Sequence, residues 1–150
     1  MERIETDICV IGAGSGGLSV AAGAVQMGAR VVLIEGHKMG GDCLNYGCVP
    51  SKALLAASRD GMDYAAAKDR VAGVIETIAP VDSQERFEGL GCTVIRDFAR
   101  FTSPREVTAG GKVIRARRFV IATGSRPLVP PIPGVESVTP PVAQGEDGRV

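Results

Sequence analysis

Hydrophobic and polar positions along the chain change rhythm several times, and each rhythm predicts an element. Asp7-Ile8-Cys9-Val10-Ile11 reads as a buried strand, Gly12-Ala13-Gly14-Ser15-Gly16-Gly17 as a tight turn, and Leu18 to Met27 as a helix of small residues ending near Gly28. Arg30 to Ile34 forms a second apolar strand. Pro50 suits the first turn of a helix, and Ser51 to Ala57 continue it with strong helix formers. Asp63 is placed to cap a helix in which Val71, Val74, Ile75 and Ile78 recur at helical spacing, with Pro80 ending it; Asp82 to Leu90 predicts another short helix. From Cys92 on, strands are predicted at hairpin spacing: Thr93 to Arg96, Ala99 to Thr102, Glu106 to Thr108 and Lys112 to Arg115, the last two joined by Ala109-Gly110-Gly111. Phe119 to Ala122 is a further buried strand that ends at Thr123-Gly124-Ser125.

These elements assemble into an α/β fold. The expected architecture is a parallel sheet from the strands at Ile8, Val32, Val94 and Val120, flanking helices, and a small antiparallel meander inserted before the last strand. A chain of 150 residues buries one core. Six of the nine prolines fall between Pro127 and Pro141, so residues 1–138 are expected to form the domain and residues 139–150 an atypical, poorly packed tail.

Charge removes whole classes of partner. The 17 basic and 17 acidic residues cancel, which leaves no electrostatic case for nucleic acid or a membrane surface. Residues 8–29 carry no charge, yet six glycines interrupt them, which argues against a membrane span. Arg115, Arg117 and Arg118 read as a solvated strand edge.

Two stretches carry chemistry. The first is the G-x-G-x-x-G turn between strand and helix: Gly12 makes the turn, Gly14 lets backbone approach a pyrophosphate, and Gly17 lets the helix pack on the strand. Glu35, at the end of the second strand, is at the distance expected of the acid that binds a ribose hydroxyl, and its charge disfavours a 2′-phosphate. The second stretch contains Cys43 and Cys48. In a regular helix, residues five apart have Cα atoms about 8 to 9 Å from one another, whereas a disulfide needs roughly 4.4 to 6.8 Å. A bond between them requires the segment to be partly unwound, which Gly40, Gly41 and Gly47 permit without proving. As a staple it closes so short a loop that it contributes only about 2 kcal/mol. Cys9 and Cys92 do not belong to a disulfide framework, and the four cysteines suit a reducing, cytoplasmic compartment where paired thiols are catalytic, redox-sensing or metal-binding. A zinc site has thin support, because His37 is the only histidine and a second close ligand pair is absent. Cys48 falls at the positive end of a helix with Lys52 four residues on, an arrangement expected to favour its thiolate.

Together, Gly12 to Gly17, Glu35, the run Gly41 to Lys52 and Val120 to Pro127 resemble the flavin-dependent pyridine nucleotide–disulfide oxidoreductases, the cysteine run being most similar to dihydrolipoamide dehydrogenase and mercuric reductase relatives. The resemblance covers roughly residues 4–138 and implies a Rossmann-like FAD-binding domain, of which this chain is the N-terminal part. It implies FAD as cofactor, with NAD(P)H as electron donor in the full-length family. The implied cofactor-binding residues are Gly12, Ala13, Gly14, Ser15, Gly16, Gly17, Glu35, Gly41, Lys52, Ala99, Ala122, Thr123, Gly124 and Ser125; no metal site is implied. Cys43, Cys48 and Lys52 are the implied catalytic residues: Cys48 faces the flavin, Cys43 is the more exposed sulfur that exchanges with substrate, and Lys52 lies near the ring. The partner is a small-molecule or disulfide substrate, and a homodimer is expected of full-length relatives. The segment from Lys52 to Val71 is shorter than in relatives, and the nicotinamide domain and the His-Glu pair of the family have no counterpart in this sequence, which reads as truncated. Two other readings stay open: a non-catalytic FAD- or nucleotide-binding remnant, and a flavin-free thiol switch.

Overall fold

The structure, a computed structural model, describes residues 2–125, 128 and 130–137. Met1, Arg126, Pro127, Val129 and residues 138–150 lie outside the described residues, and with them the expected tail and the Arg-Pro end of the last motif.

Six strands form one mixed sheet: β1 (Glu2–Ile11), β2 (Val31–Ile34), β3 (Thr93–Ile95), β4 (Arg100–Ser103), β5 (Glu106–Ala109) and β6 (Lys112–Ile121). Their order across the sheet is β3-β2-β1-β6-β5-β4. The first four in that order are parallel, as the apolar runs at Ile8, Val32, Val94 and Val120 predict, and β4, β5 and β6 form an antiparallel meander. The fold is α/β and Rossmann-like.

Pairing corrects the expected strands. Lys112 to Arg115 and Phe119 to Ile121 belong to one ten-residue strand, with Ala122 just past its end, because β1 pairs along its whole length, from Glu2 opposite Lys112 to Ile11 opposite Ile121. Ladder hydrogen bonds hold a strand whatever its side chains, so the three arginines do not interrupt it. Arg115, Arg117 and Arg118 are exposed, but they stand on an interior strand between β1 and β5 rather than on a sheet edge. Asp7, on the neighbouring strand, pairs with Arg30 at 3.2 Å and reaches Arg117 at 3.8 Å.

The period-2 alternation of β1 and β2 builds two apolar layers. Cys9, Val32 and Ile34 point to one face, where Val107, Ala109, Ile114 and Ala116 of the meander cover them. The inserted meander shares β6 with the parallel sheet and covers one face of that sheet. Val10, Val31 and Leu33 point the other way, against Leu18 and Ala21 of helix α1 (Ser15–Gln26) and Phe87 of helix α5 (Gln84–Gly89).

Helices α2 (Gly41–Asn45), α3 (Cys48–Arg59) and α4 (Tyr64–Ile78) lie between β2 and α5 in sequence. Despite the short segment after Lys52, α3 has three full turns. The Ala66 amide donates to the Asp63 carboxylate at 2.9 Å, capping α4, and a 3₁₀ turn at Ala79–Asp82 begins just before Pro80. Among the described residues, no helix is long and apolar enough to cross a membrane.

Candidate functional site

At the carboxyl end of β1 the chain has to turn sharply into α1, and two glycines make this possible. Gly12 has φ +106°, and a Cβ there would sit inside the Ala122 carbonyl; a Cβ on Gly17 would sit inside the Gly12 carbonyl and at 3.3 Å from Val10. Only a glycine pair allows strand, helix and the end of β6 to meet this closely. Leu18 N donates to Gly14 O, the first helical bond, so the amides of Ser15, Gly16 and Gly17 begin α1 without intrahelical partners. Gly16 faces open space. Glycine backbone, free amides and the positive end of a twelve-residue helix together form a cradle suited to a pyrophosphate.

The Glu35 carboxylate reaches this turn. It accepts a hydrogen bond from Ala13 N at 2.6 Å and another from His37 N at 2.7 Å, so it links the glycine turn to the loop that follows β2. Ala122 and Thr123 lie against Gly12, with Ala122 N donating to Ile11 O at 2.8 Å. Gly124 and Ser125 follow as exposed backbone. Ala99 is placed differently: it packs against the meander-side core, while its neighbour Phe98 lies against Gly36 and contacts the His37 ring edge-on at 4.9 Å.

The cysteine segment rests directly on the glycine turn. Gly40 N donates to Ala13 O at 2.9 Å, Gly14 and Gly40 form an isolated parallel bridge, and a Cβ on Gly41 would come within 2.6 Å of the Gly14 Cα. Cys43 lies in α2 and Cys48 is the first residue of α3. Between them the helix breaks: Tyr46 and Gly47 both donate their amides to Asp42 O, at 2.8 and 2.7 Å, and the chain restarts as α3. This is the unwinding that a disulfide over five residues demands.

Cys43 and Cys48 are free thiols. The Cys43 thiol is raised above its usual value, first by its hydrogen bond with the Cys48 side chain and then by burial; the Cys48 backbone and the Lys52 charge act in the opposite direction. Lys52, one turn into α3, thus bears electrostatically on Cys43. One expectation is reversed. Cys48 is the exposed residue and Cys43 the half-buried one, because Cys43 lies within α2, which packs against α1 and α3, whereas Cys48 opens a helix at the break. Cys9 and Cys92 are buried in opposite layers; burial pushes Cys9 up to about 12 and raises Cys92 as well.

The chain that carries this glycine turn and cysteine pair has counterparts among known proteins. The profile of the pyridine nucleotide-disulphide oxidoreductases matches residues 6–147. The chain belongs to that family. It is 38% identical to a mercuric reductase of Acidithiobacillus ferrooxidans over 88% of this chain and 28% of that protein. To a glutathione reductase of Burkholderia cepacia it is 33% identical, over 89% of this chain and 33% of the other. The HOCl-induced flavoprotein disulfide reductase RclA of Escherichia coli superposes with a TM-score of 0.77 at 30% identity, over 89% of this chain and 31% of that one. The chain spans about a third of the length of the curated relatives it matches.

Other residues of this family member shape the site without a chemical signature of their own. Asn45, the last residue of α2, donates from its side-chain amide to Met39 O at 3.1 Å and Gly41 O at 2.8 Å. The Lys38 ammonium lies over the Tyr46 ring at 5.6 Å. Arg96 donates to the carbonyls of Glu35 and His37, bracing the loop after β2. Only the position of Asn45 between the two cysteines sets it apart in the sequence.

Proposed function

We propose that this chain is the FAD-binding, dithiol-bearing part of an oxidoreductase that passes electrons from NAD(P)H to a small-molecule or disulfide acceptor. The apposition of Gly14 and Gly41 carries this reading, because it sets the nucleotide turn and the dithiol segment in direct backbone contact. The residues fit a dinucleotide: a Cβ would fill the approach at Gly12, Gly17 or Gly41, and the first amides of α1 lack helical partners. Gly12, Ala13, Gly14, Ser15, Gly16, Gly17 and Gly41 would hold the pyrophosphate side, Glu35 the ribose, and Ala99 with Ala122, Thr123, Gly124 and Ser125 the remaining backbone contacts. Bound FAD would supply the two-electron link between NAD(P)H and the cysteine pair.

The chain's own chemistry is thiol–disulfide exchange. The Cys43–Cys48 disulfide takes up two electrons and two protons to become the dithiol; one cysteine of the pair then attacks the acceptor disulfide as a thiolate, and the other resolves the mixed disulfide. Placement of Cys48 at the positive end of α3 supports assigning it the cofactor side. Lys52 offsets negative charge on the pair, in line with its effect on Cys43.

The test is a flavin titration of the purified chain, with the cysteine redox state read by mass spectrometry after alkylation. FAD binds, Cys43 and Cys48 form an internal disulfide, and NADH alone drives no steady-state disulfide reduction. Failure to bind FAD would leave the flavin-free thiol switch. Unchanged redox behaviour in Cys43→Ser would leave a nucleotide-binding remnant, and a robust NADH-driven rate would refute the inactivity of the isolated chain.

A further inference from the structure

We infer that Asn45 is a positioning residue for the dithiol, setting how readily Cys43 and Cys48 close into a disulfide. This rests on the dithiol chemistry proposed above. The Asn45 amide donates to the carbonyls of both Met39 and Gly41, so its two N–H groups close a ring of backbone from residue 39 to residue 45. Cys43 lies inside that ring. The same ring holds Gly40, whose amide donates to Ala13 O, and Gly41, which abuts Gly14. Asn45 therefore ties Cys43 to the nucleotide turn at the residue just before the helix breaks.

The chemistry needs this residue type. Two carbonyl oxygens converge on one side chain, and at this length only a primary amide offers both of them donors. Aspartate has the same shape but no N–H, and its charge would face two carbonyl dipoles and stand two residues from Cys43. Without the ring, Cys43 samples more positions relative to Cys48, and the effective concentration of one thiol at the other falls. The disulfide is then easier to reduce.

The experiment uses the whole 150-residue chain, equilibrated across ratios of reduced to oxidised dithiothreitol, acid-quenched, alkylated and analysed by mass spectrometry. In the reaction read, dithiothreitol is oxidised to its cyclic disulfide as the Cys43–Cys48 bond becomes two thiols. Asn45→Ala shifts this equilibrium toward the dithiol by about tenfold, the size expected if the constraint that two ordinary hydrogen bonds place on Cys43 is lost. Asn45→Asp shifts it in the same direction and also moves the alkylation profile of Cys43 to higher pH, since a nearby carboxylate disfavours the thiolate. Lower folding stability alone would leave the equilibrium within the folded protein unchanged. Should Asn45→Ala fail to fold by circular dichroism, Asn45→Ser, which keeps one donor, decides with a smaller shift in the same sense. An equilibrium equal to that of the parent in the folded variants overturns the inference. A parent chain that forms no Cys43–Cys48 disulfide at any ratio overturns the dithiol chemistry itself, and this inference with it.

Discussion

Cys43 and Cys48 differ from Cys9 and Cys92 in what surrounds each sulfur. Burial alone pushes Cys9 up to about 12 and raises Cys92, whereas Cys43 is raised chiefly by a hydrogen bond with its partner and is drawn back by the Lys52 charge. A raised thiol pKa means less thiolate at a given pH, and the thiolate is the species that alkylates. Cys48→Ala removes the hydrogen bond, so the iodoacetamide profile of Cys43 moves to lower pH; Lys52→Gln removes the opposing charge and moves it to higher pH. Cys9 stays unmodified in both variants until the chain is unfolded. Mass spectrometry of each cysteine against pH checks this, and a Cys43 profile indifferent to Cys48→Ala would contradict it. The presence of two candidate thiols is readable in the chain itself. Their relative exposure is not, because it follows from which helix each one joins and what that helix packs against.

Among the helices, the same residue type has opposite value at different positions. Gly41 opens α2 at φ +56°, with room for a Cβ denied by the Gly14 Cα at 2.6 Å. Gly23 lies inside α1, with nothing within 4 Å of an added Cβ. Gly41→Ala combines a left-handed backbone with an overpacked contact, and urea unfolding should show a loss of about 2–5 kcal/mol. Gly23→Ala should gain about 0.5–1 kcal/mol, since alanine loses less backbone entropy in a helix interior. Equal effects at the two sites would mean that the contact between the glycine turn and the cysteine segment does not bear on stability. The helix break at Tyr46-Gly47 was foreseeable from the geometry that a five-residue disulfide demands. The partner of Gly41 was not, because nothing in its own neighbours names Gly14.

The described residues are built on one sheet whose two faces carry different covers, so damage to either cover reaches both. Ile114 is fully buried in the layer between the parallel strands and the folded-over meander. Ile114→Ala should cost about 2–5 kcal/mol, and circular dichroism and thiol accessibility should still report one coincident unfolding transition. Separate transitions would show that meander and parallel sheet unfold as independent units. Much of this architecture is legible in sequence: apolar runs locate the parallel strands, the glycine spacing locates the βα turn, and Asp63 and Pro80 bracket α4. Those signals are local, since periodicity and turn chemistry depend on residues within a few positions of one another. Continuity of β6 through Arg115, Arg117 and Arg118 came from its register with β1, more than a hundred residues away in sequence. The folding of the meander onto Cys9, Val32 and Ile34, the bond from Ala13 to Glu35 and the seat of Gly41 on Gly14 likewise depend on surfaces meeting in space. Burial patterns state that a side chain must be covered, and three-dimensional packing alone chooses the cover.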